Sequence, residues 1–403
     1  MTVYLIGTLD TKGREISFVR DELQSLGVDV QVVDGGCLGE PTFVADIPRE
    51  AVFEAAGTTL AQVRATQDRG HAVTTAAHGV AALFRVLESE GKVDGVIGLG
   101  GSAGTTIATA AMRALPIGVP KLMASTLASG QVRPYVGDKD ILMLNTIVDI
   151  SGINRISRLV LGEAARAMAG MVTLKLARPA DSDKPVVAAT MFGVTTPCVE
   201  HARRILEEAG YEVLVFHATG TGGQAMESLI DDGLVVGVLD ITTTELADEL
   251  VGGTLTAGPH RLTAAGRKGI PQVISVGALD MVNFGPPESI PPKFAARTFY
   301  CHNPSVTLMR TTIAENSALG EEIGRKAAAA TGPTAILLPL YGVSAIDREG
   351  QPFDDPAARS ALFDALRRNH GNAKLIELEN HINDPEFAET AARQLIALLG
   401  DRG

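Results

Sequence analysis

Residues 93–112 read VDGVIGLGGSAGTTIATAAM. An apolar run, Gly95–Leu99, stops at the turn Gly98-Leu99-Gly100-Gly101-Ser102-Ala103-Gly104-Thr105, and small residues at helical spacing follow. Strand, glycine turn, helix is the unit from which parallel sheets are built. Glycines let the backbone turn sharply, and the unpaired amides that open the helix face outward, where an anion can sit. The turn is not a Walker A loop, because no Gly-Lys-Ser/Thr follows, and its GxGGxxG spacing lacks the ribose acid of a dinucleotide fingerprint. Gly98, Gly100, Gly101, Ser102, Gly104 and Thr105 are therefore candidates for holding phosphate, against the plainer alternative of a tight turn that needs glycine for packing.

The same alternation extends in both directions. Strands are predicted at Val3–Gly7, Asp29–Val33, Gly95–Leu99, Lys121–Ala124 and Ile141–Ile147, with helical spacing over Lys12–Leu26, Pro48–Asp68, His71–Glu90, Thr105–Leu115 and Asn154–Val172. The polar run LARPADSDK, residues 176–184, breaks the pattern and reads as a linker. Strands then resume near Val186–Thr190, Glu212–Phe216, Val235–Leu239, Gln272–Val276, Ala335–Leu340 and Lys374–Glu379. Helices are predicted between them, including Cys198–Ala209, Gln224–Asp232, Ser305–Arg310, Ser317–Ala330, Asp355–Arg368 and Pro385–Leu399. The chain thus reads as α/β, with two consecutive Rossmann-like doubly wound domains of mostly parallel sheet, 1–178 and 184–403. The stretch YEVLVFHATGTGGQAMESLI, residues 211–230, echoes the opening stretch and suggests two variants of one architecture.

Composition agrees with this class: 403 residues, 45% hydrophobic, 43 glycines and no tryptophan. A formal net charge of −12 argues against nonspecific nucleic-acid or anionic-membrane partners, so an anionic ligand needs a local site. No apolar run approaches the roughly 20 residues of a membrane span. Three cysteines, Cys37, Cys198 and Cys301, stand far apart without a CxxC pair, which suits a reducing cytoplasm.

Two more strand ends in the first half carry polar chemistry. Gly7-Thr8-Leu9-Asp10-Thr11-Lys12-Gly13 offers hydroxyls, a carboxylate and an ammonium, so Lys12 is a candidate phosphate contact and Asp10, with Asp140 further on, a candidate Mg²⁺ ligand. Thr8 and Asp10 read equally well as helix caps. The third end, Ser125-Thr126-Leu127-Ala128-Ser129-Gly130, adds hydroxyls and a glycine. All three turns fall on one sheet edge if the topology is parallel.

In the second half the densest cluster, His217-Ala218-Thr219-Gly220-Thr221-Gly222-Gly223, pairs a histidine with a glycine nest. His217, His302, Arg261 and Asp280 are the catalytic candidates, and Thr219, Gly220, Gly222, Gly223, Thr243, His260, Asn283 and Asn303 the substrate-binding ones. Thr242 to Glu245 has the form of a capping box. A Cys301–His302 nucleophile and a histidine zinc site both lack the required spacing.

Taken together, GTLDTKG, GLGGSAGT, STLASG, VDISGINRI, FHATGTGGQAMESL, LDITTTELADELVGG, GALDMVNFG and HNPSVTLMRTT resemble the Tm-1-like ATP-binding family, in order and over nearly the whole chain. The resemblance implies two Rossmann-like subdomains, a homodimer, and ATP held by Gly7–Lys12, Gly98–Thr105 and Ser125–Gly130. The expectation is an ATP-binding enzyme, with Mg²⁺, acting by phosphoryl transfer on a small carboxylated or phosphorylated metabolite. The alternatives are a nucleotide-gated binding protein and an ATP-independent hydrolase or lyase.

Overall fold

In the computed structural model, residues 1–130, 132–174 and 184–400 are described, and the chain divides into two compact units, Met1–Arg178 and Pro179–Gly403. Of the predicted linker only Lys184 lies among the described residues.

The first unit runs β1 (Thr2–Gly7), α1 (Leu9–Ser25), β2 (Asp29–Asp34), α2 (Arg49–Ala55), α3 (Leu60–Ala65), α4 (Arg69–Ser89), β3 (Gly95–Gly100), α5 (Ser102–Arg113), β4 (Lys121–Ser125), α6 (Arg133–Val136), β5 (Leu142–Asn145) and α7 (Arg155–Thr173). Its sheet has the order β2-β1-β3-β4-β5, every pair parallel. Alternate residues of β1 feed opposite cores. Val3 and Leu5 pack with α1 and α7, while Tyr4 and Ile6 pack with α2, α4 and α5. The single predicted helix over Pro48–Asp68 is two short ones, because Gly57 takes φ 78° and Thr59 caps a new start in a capping box with Gln62. Likewise β5 is shorter than the predicted Ile141–Ile147.

The second unit runs β6 (Val186–Met191), α8 (Thr196–Glu208), β7 (Glu212–His217), α9 (Thr221–Asp231), β8 (Gly237–Thr242), α10 (Glu245–Val251), α11 (Ala264–Lys268), β9 (Gln272–Gly277), β10 (Met281–Phe284), β11 (Phe299–Asn303), β12 (Val306–Arg310), α12 (Ile313–Ala328), β13 (Thr334–Pro339), α13 (Pro356–Asn369), β14 (Lys374–Leu378) and α14 (Pro385–Gly400). The main sheet is parallel, in the order β14-β13-β9-β8-β6-β7. Read from β7, this repeats the second-first-third-fourth-fifth order of the first unit, with one strand added. The two units therefore share an architecture, but the echoing stretches are not equivalent, since residues 93–112 cover the third strand of their unit and residues 211–230 the second.

One element changes type. Ser305–Arg310, predicted helical, is largely the strand β12, central in a small antiparallel sheet between β10 and β11. Six residues give too little periodicity to decide, and pairing on both sides settles the matter.

Candidate functional site at the strand ends of the first unit

In a sheet ordered 2-1-3-4-5 the connections leave in opposite directions from β1 and β3, and a crevice opens at the carboxyl ends of those strands. The three predicted turns all lie along that edge. β3 and β4 are in register from Val96 opposite Lys121 to Gly100 opposite Ser125, and the Gly35 amide donates to the Gly7 carbonyl at 2.8 Å. Thr105 Oγ1, one turn into α5, lies 2.6 Å from Ser125 Oγ, tying the second turn to the third.

The glycines of the second turn have separate jobs. A Cβ on Gly98 would come within 2.5 Å of Ala108 Cβ, so that glycine serves packing. Gly100 and Gly104 face each other: a Cβ on Gly100 would stand 2.8 Å from Gly104 Cα, and one on Gly104 would stand 2.9 Å from the Leu99 carbonyl. Gly101 caps α5 without a side chain, and the amides of Ser102, Ala103 and Gly104 have no partner among the described residues. A helix start left in this state presents several donors and the positive end of its dipole to the crevice.

The first turn is busier. The Leu9 amide donates to Asp34 Oδ1 at 3.0 Å, Thr8 Oγ1 lies 2.6 Å from Thr11 Oγ1, and Lys12 Nζ donates to the Ile150 carbonyl. Asp10 Oδ2 accepts the amides of Leu38 and Gly39 at 2.9 and 3.1 Å, whereas Oδ1 is buried with no partner among the described residues. In the third turn Ser125 Oγ accepts the Leu127 amide, Thr126 is half-buried, and Ser129 and Gly130 are exposed.

The two carboxylates expected to share Mg²⁺ are not brought together. Asp140 pairs with Lys121 Nζ at 2.6 Å, at the start of β4, and that is the sheet edge opposite the one where Asp10 follows β1. Sequence reading also passed over Asp34 and Arg49, a buried pair with Arg49 Nε 2.8 Å from Asp34 Oδ2. The available signal was an acid ending the second apolar run before Gly35-Gly36.

In the second unit most candidates are occupied internally. Arg261, 1% exposed, donates through Nη1 and Nη2 to Asp240 at 2.5 and 2.7 Å and through Nε to Glu245 at 2.6 Å, and its Nη1 lies 3.4 Å from Glu227. These acids hold its guanidinium pKa well above the ordinary value against the opposing effect of burial. Glu245 Oε1 in turn accepts the amides of Gly220 and Gly223 at 2.7 and 3.1 Å, so the nest offered to a substrate anion is filled by the chain's own carboxylate. Glu245 therefore closes no capping box with Thr242, and α10 starts without a side-chain cap. Gly222 leaves no room for a side chain, because a Cβ would stand 1.8 Å from the His217 carbonyl. Thr243 Oγ1 donates to the Ser275 carbonyl, and buried Asn283 bonds Thr244 and Asp248. Only His217, Thr219, His260, His302 and Asn303 keep accessible side chains, and His302 and Asn303 lie on β11, outside the main sheet.

Asp280 is fully buried, its Oδ2 accepting Ser344 Oγ at 2.8 Å while Oδ1 is unpartnered among the described residues. Burial, then the nearby Asp347 carboxylate, push its pKa up to about 7. Burial likewise lifts Asp248 to about 7, against the amide and side-chain donors of Asn283. Because each folded pKa stands above the ordinary value of 3.8, the stability these two acids contribute is complete below about pH 4 and is lost as pH rises through about 7. The urea midpoint of the second unit is therefore expected to fall between pH 5 and pH 8, and less so in Asp280→Asn. A midpoint that climbs over that range, or an unchanged slope in the variant, would contradict the assignment.

Fold and site together define a two-unit, doubly wound α/β protein in which the first amides of α5, at the strand ends of the first unit, are unpartnered among the described residues. The chain belongs to the uncharacterised protein family UPF0261: the model of its N-terminal domain matches residues 1–177 and that of its C-terminal domain residues 184–399. A UPF0261 protein of Clostridium tetani is 50% identical over 98% of both chains, and one of Rhizobium meliloti 48% identical over 96% of this chain and 97% of that one. The tomato ToMV resistance protein Tm-1(GCR237) is 43% identical over 96% of this chain, which spans 54% of the tomato protein. The Tm-1-like resemblance thus holds. Among the described residues no helix is long and apolar enough to cross a membrane.

Proposed function

We propose that the first unit binds ATP at the β1/β3 crevice, with polyphosphate on the amides of Ser102, Ala103 and Gly104. One contrast carries this reading. At the starts of α1 and α9 an internal carboxylate, Asp34 or Glu245, already occupies backbone amides, whereas the start of α5 is left open among the described residues. Gly100, Gly101 and Gly104 put no side chain at this turn, and Thr126 Oγ1 stands 3.6 Å from where a Cβ on Gly101 would be. Asp10 Oδ1 is the oxygen we assign to Mg²⁺, and Lys12 would exchange the Ile150 carbonyl for phosphate.

Phosphoryl transfer or ATP hydrolysis, on a small carboxylated or phosphorylated metabolite, is the chemistry proposed with it, since that chemistry asks mainly for positioning and charge neutralisation. A second reading, a nucleotide-gated binding protein without chemistry, draws support from the internal occupation of Arg261, Thr243, Asn283 and Asp280. A homodimer is proposed on family resemblance alone, and a cytoplasmic location on the three separated cysteines. Hydrogen exchange and melting of the full chain with ATP test the nucleotide. At one hundred times the dissociation constant the bound state gains about 2.7 kcal/mol, and protection should centre on residues 98–106. No shift in melting at millimolar ATP would end the proposal, and ADP release across a panel of small acids separates enzyme from binder.

A further inference from the structure

On the outer face of the first unit, α4 and α5 leave a groove of about 370 Å³ between them. Its floor is alanine from both helices, and its polar lining is Thr74, His78, Arg85, Thr106 and Arg113. No carboxylate lines it, in a chain whose acids outnumber its lysines and arginines by 47 to 35. The side chains of Thr74, His78 and Arg85 make no hydrogen bond or ion pair among the described residues. They recur at positions i, i+4 and i+11 of α4, which places them along one stripe.

Arg113 is fixed in place. Its Nη1 donates to Thr109 Oγ1 at 3.0 Å and to the Tyr135 carbonyl at 2.6 Å, which leaves Nε and Nη2 without a partner among the described residues. Burial lowers its pKa, opposed only by the field of Asp138, so the guanidinium is a cation short of negative charge. Two arginines and an imidazole around an apolar floor form a receptor for anionic oxygens, the guanidinium fork suiting phosphate and carboxylate alike.

We propose that this groove binds a small polyanionic metabolite, with its phosphate or carboxylate groups on Arg85 and Arg113 and its remainder along His78, Thr74 and Thr106. The site is separate from the α5 start and does not rest on the nucleotide reading. Its occupant is a second ligand of the first unit, either a co-substrate or an effector.

The test uses the full chain at about 0.15 M salt, titrated with inorganic pyrophosphate and, separately, with citrate, hydrogen exchange reporting the location. Protection over residues 74–85 and 106–113 is expected with at least one of the two. Saturation by pyrophosphate alone assigns a phosphate ligand, and saturation by citrate alone a carboxylate. Arg85 and His78 are exposed, so His78→Ala with Arg85→Ala should fold normally and weaken binding at least about tenfold. Gly101→Asp, at the nucleotide turn, should leave it unchanged. Binding unaffected by the double variant, protection confined to residues 98–106, or no response to either anion would overturn the proposal.

Discussion

Replacing Arg261 with methionine is expected to lower the unfolding free energy of the second unit by about 3–5 kcal/mol, the usual cost of removing one partner from a buried charge network. The reason lies in what remains. Asp240 and Glu245 are buried, Glu227 is 15% exposed, and all three reach the same guanidinium within 3.4 Å. Without it, Asp240 and Glu245 must stay charged in a dry interior or take up protons, and either route is costly. Glu245 already shows the strain of the site, since burial raises its pKa despite Arg261 beside it. The damage should spread, because Glu245 holds the amides of Gly220 and Gly223 and Glu227 holds those of Leu262, Thr263 and Ala264. Arg267→Ala gives the scale: its pair with Asp231 is exposed on both sides, and such pairs contribute about 0–1 kcal/mol. Urea unfolding, with hydrogen exchange assigning the transition to residues 184–400, measures both. A loss below about 1 kcal/mol in Arg261→Met would mean that water reaches these carboxylates and that the network is no anchor.

That network also shows where reading the sequence stops. Glycine turns after apolar runs gave the strand ends correctly, because backbone conformation is a local property that residue type reports directly. The three first-unit turns therefore fell where a parallel sheet gathers them. Side-chain destinations are not local. Glu245 stands three residues after Thr242 and has the spacing of a cap, yet it reaches Gly220, twenty-five residues back, because β7 and β8 flank β6 and end on the same edge. Arg261 reads as a catalytic candidate for the same reason that it is a good anchor, since a planar guanidinium suits carboxylates from either source. Asp140 was grouped with Asp10 by type alone, and the strand direction separates them. The groove between α4 and α5 was not read from the sequence: Thr74, His78 and Arg85 stand at i, i+4 and i+11 of a predicted helix, but only the packing of the two helices brings Arg113 to them.

Gly101→Asp is expected to stabilise the first unit while abolishing nucleotide binding, two effects of opposite sign from one carboxylate. Gly101 sits at φ −84° and ψ −151°, extended backbone open to any residue, and a Cβ there would find Thr126 Oγ1 at 3.6 Å and nothing closer. The substitution thus fits without strain. An aspartate in that position is a strong helix cap: it can accept the free amides at the start of α5 and favours the positive end of the dipole. Because glycine already caps tolerably, the gain should be only a few tenths to about 1 kcal/mol. The variant would copy in the first unit what Glu245 does in the second, filling with an internal anion the amides that ATP is proposed to use. Loss of those donors together with like-charge repulsion should weaken ATP at least about a hundredfold, or roughly 2.7 kcal/mol. Melting with and without ATP reads both effects at once. The variant alone should melt slightly above the parent chain, and with millimolar ATP well below the ATP-bound parent. If the variant gains stability and still binds ATP with parental affinity, the nucleotide lies elsewhere and the start of α5 is merely an uncapped helix.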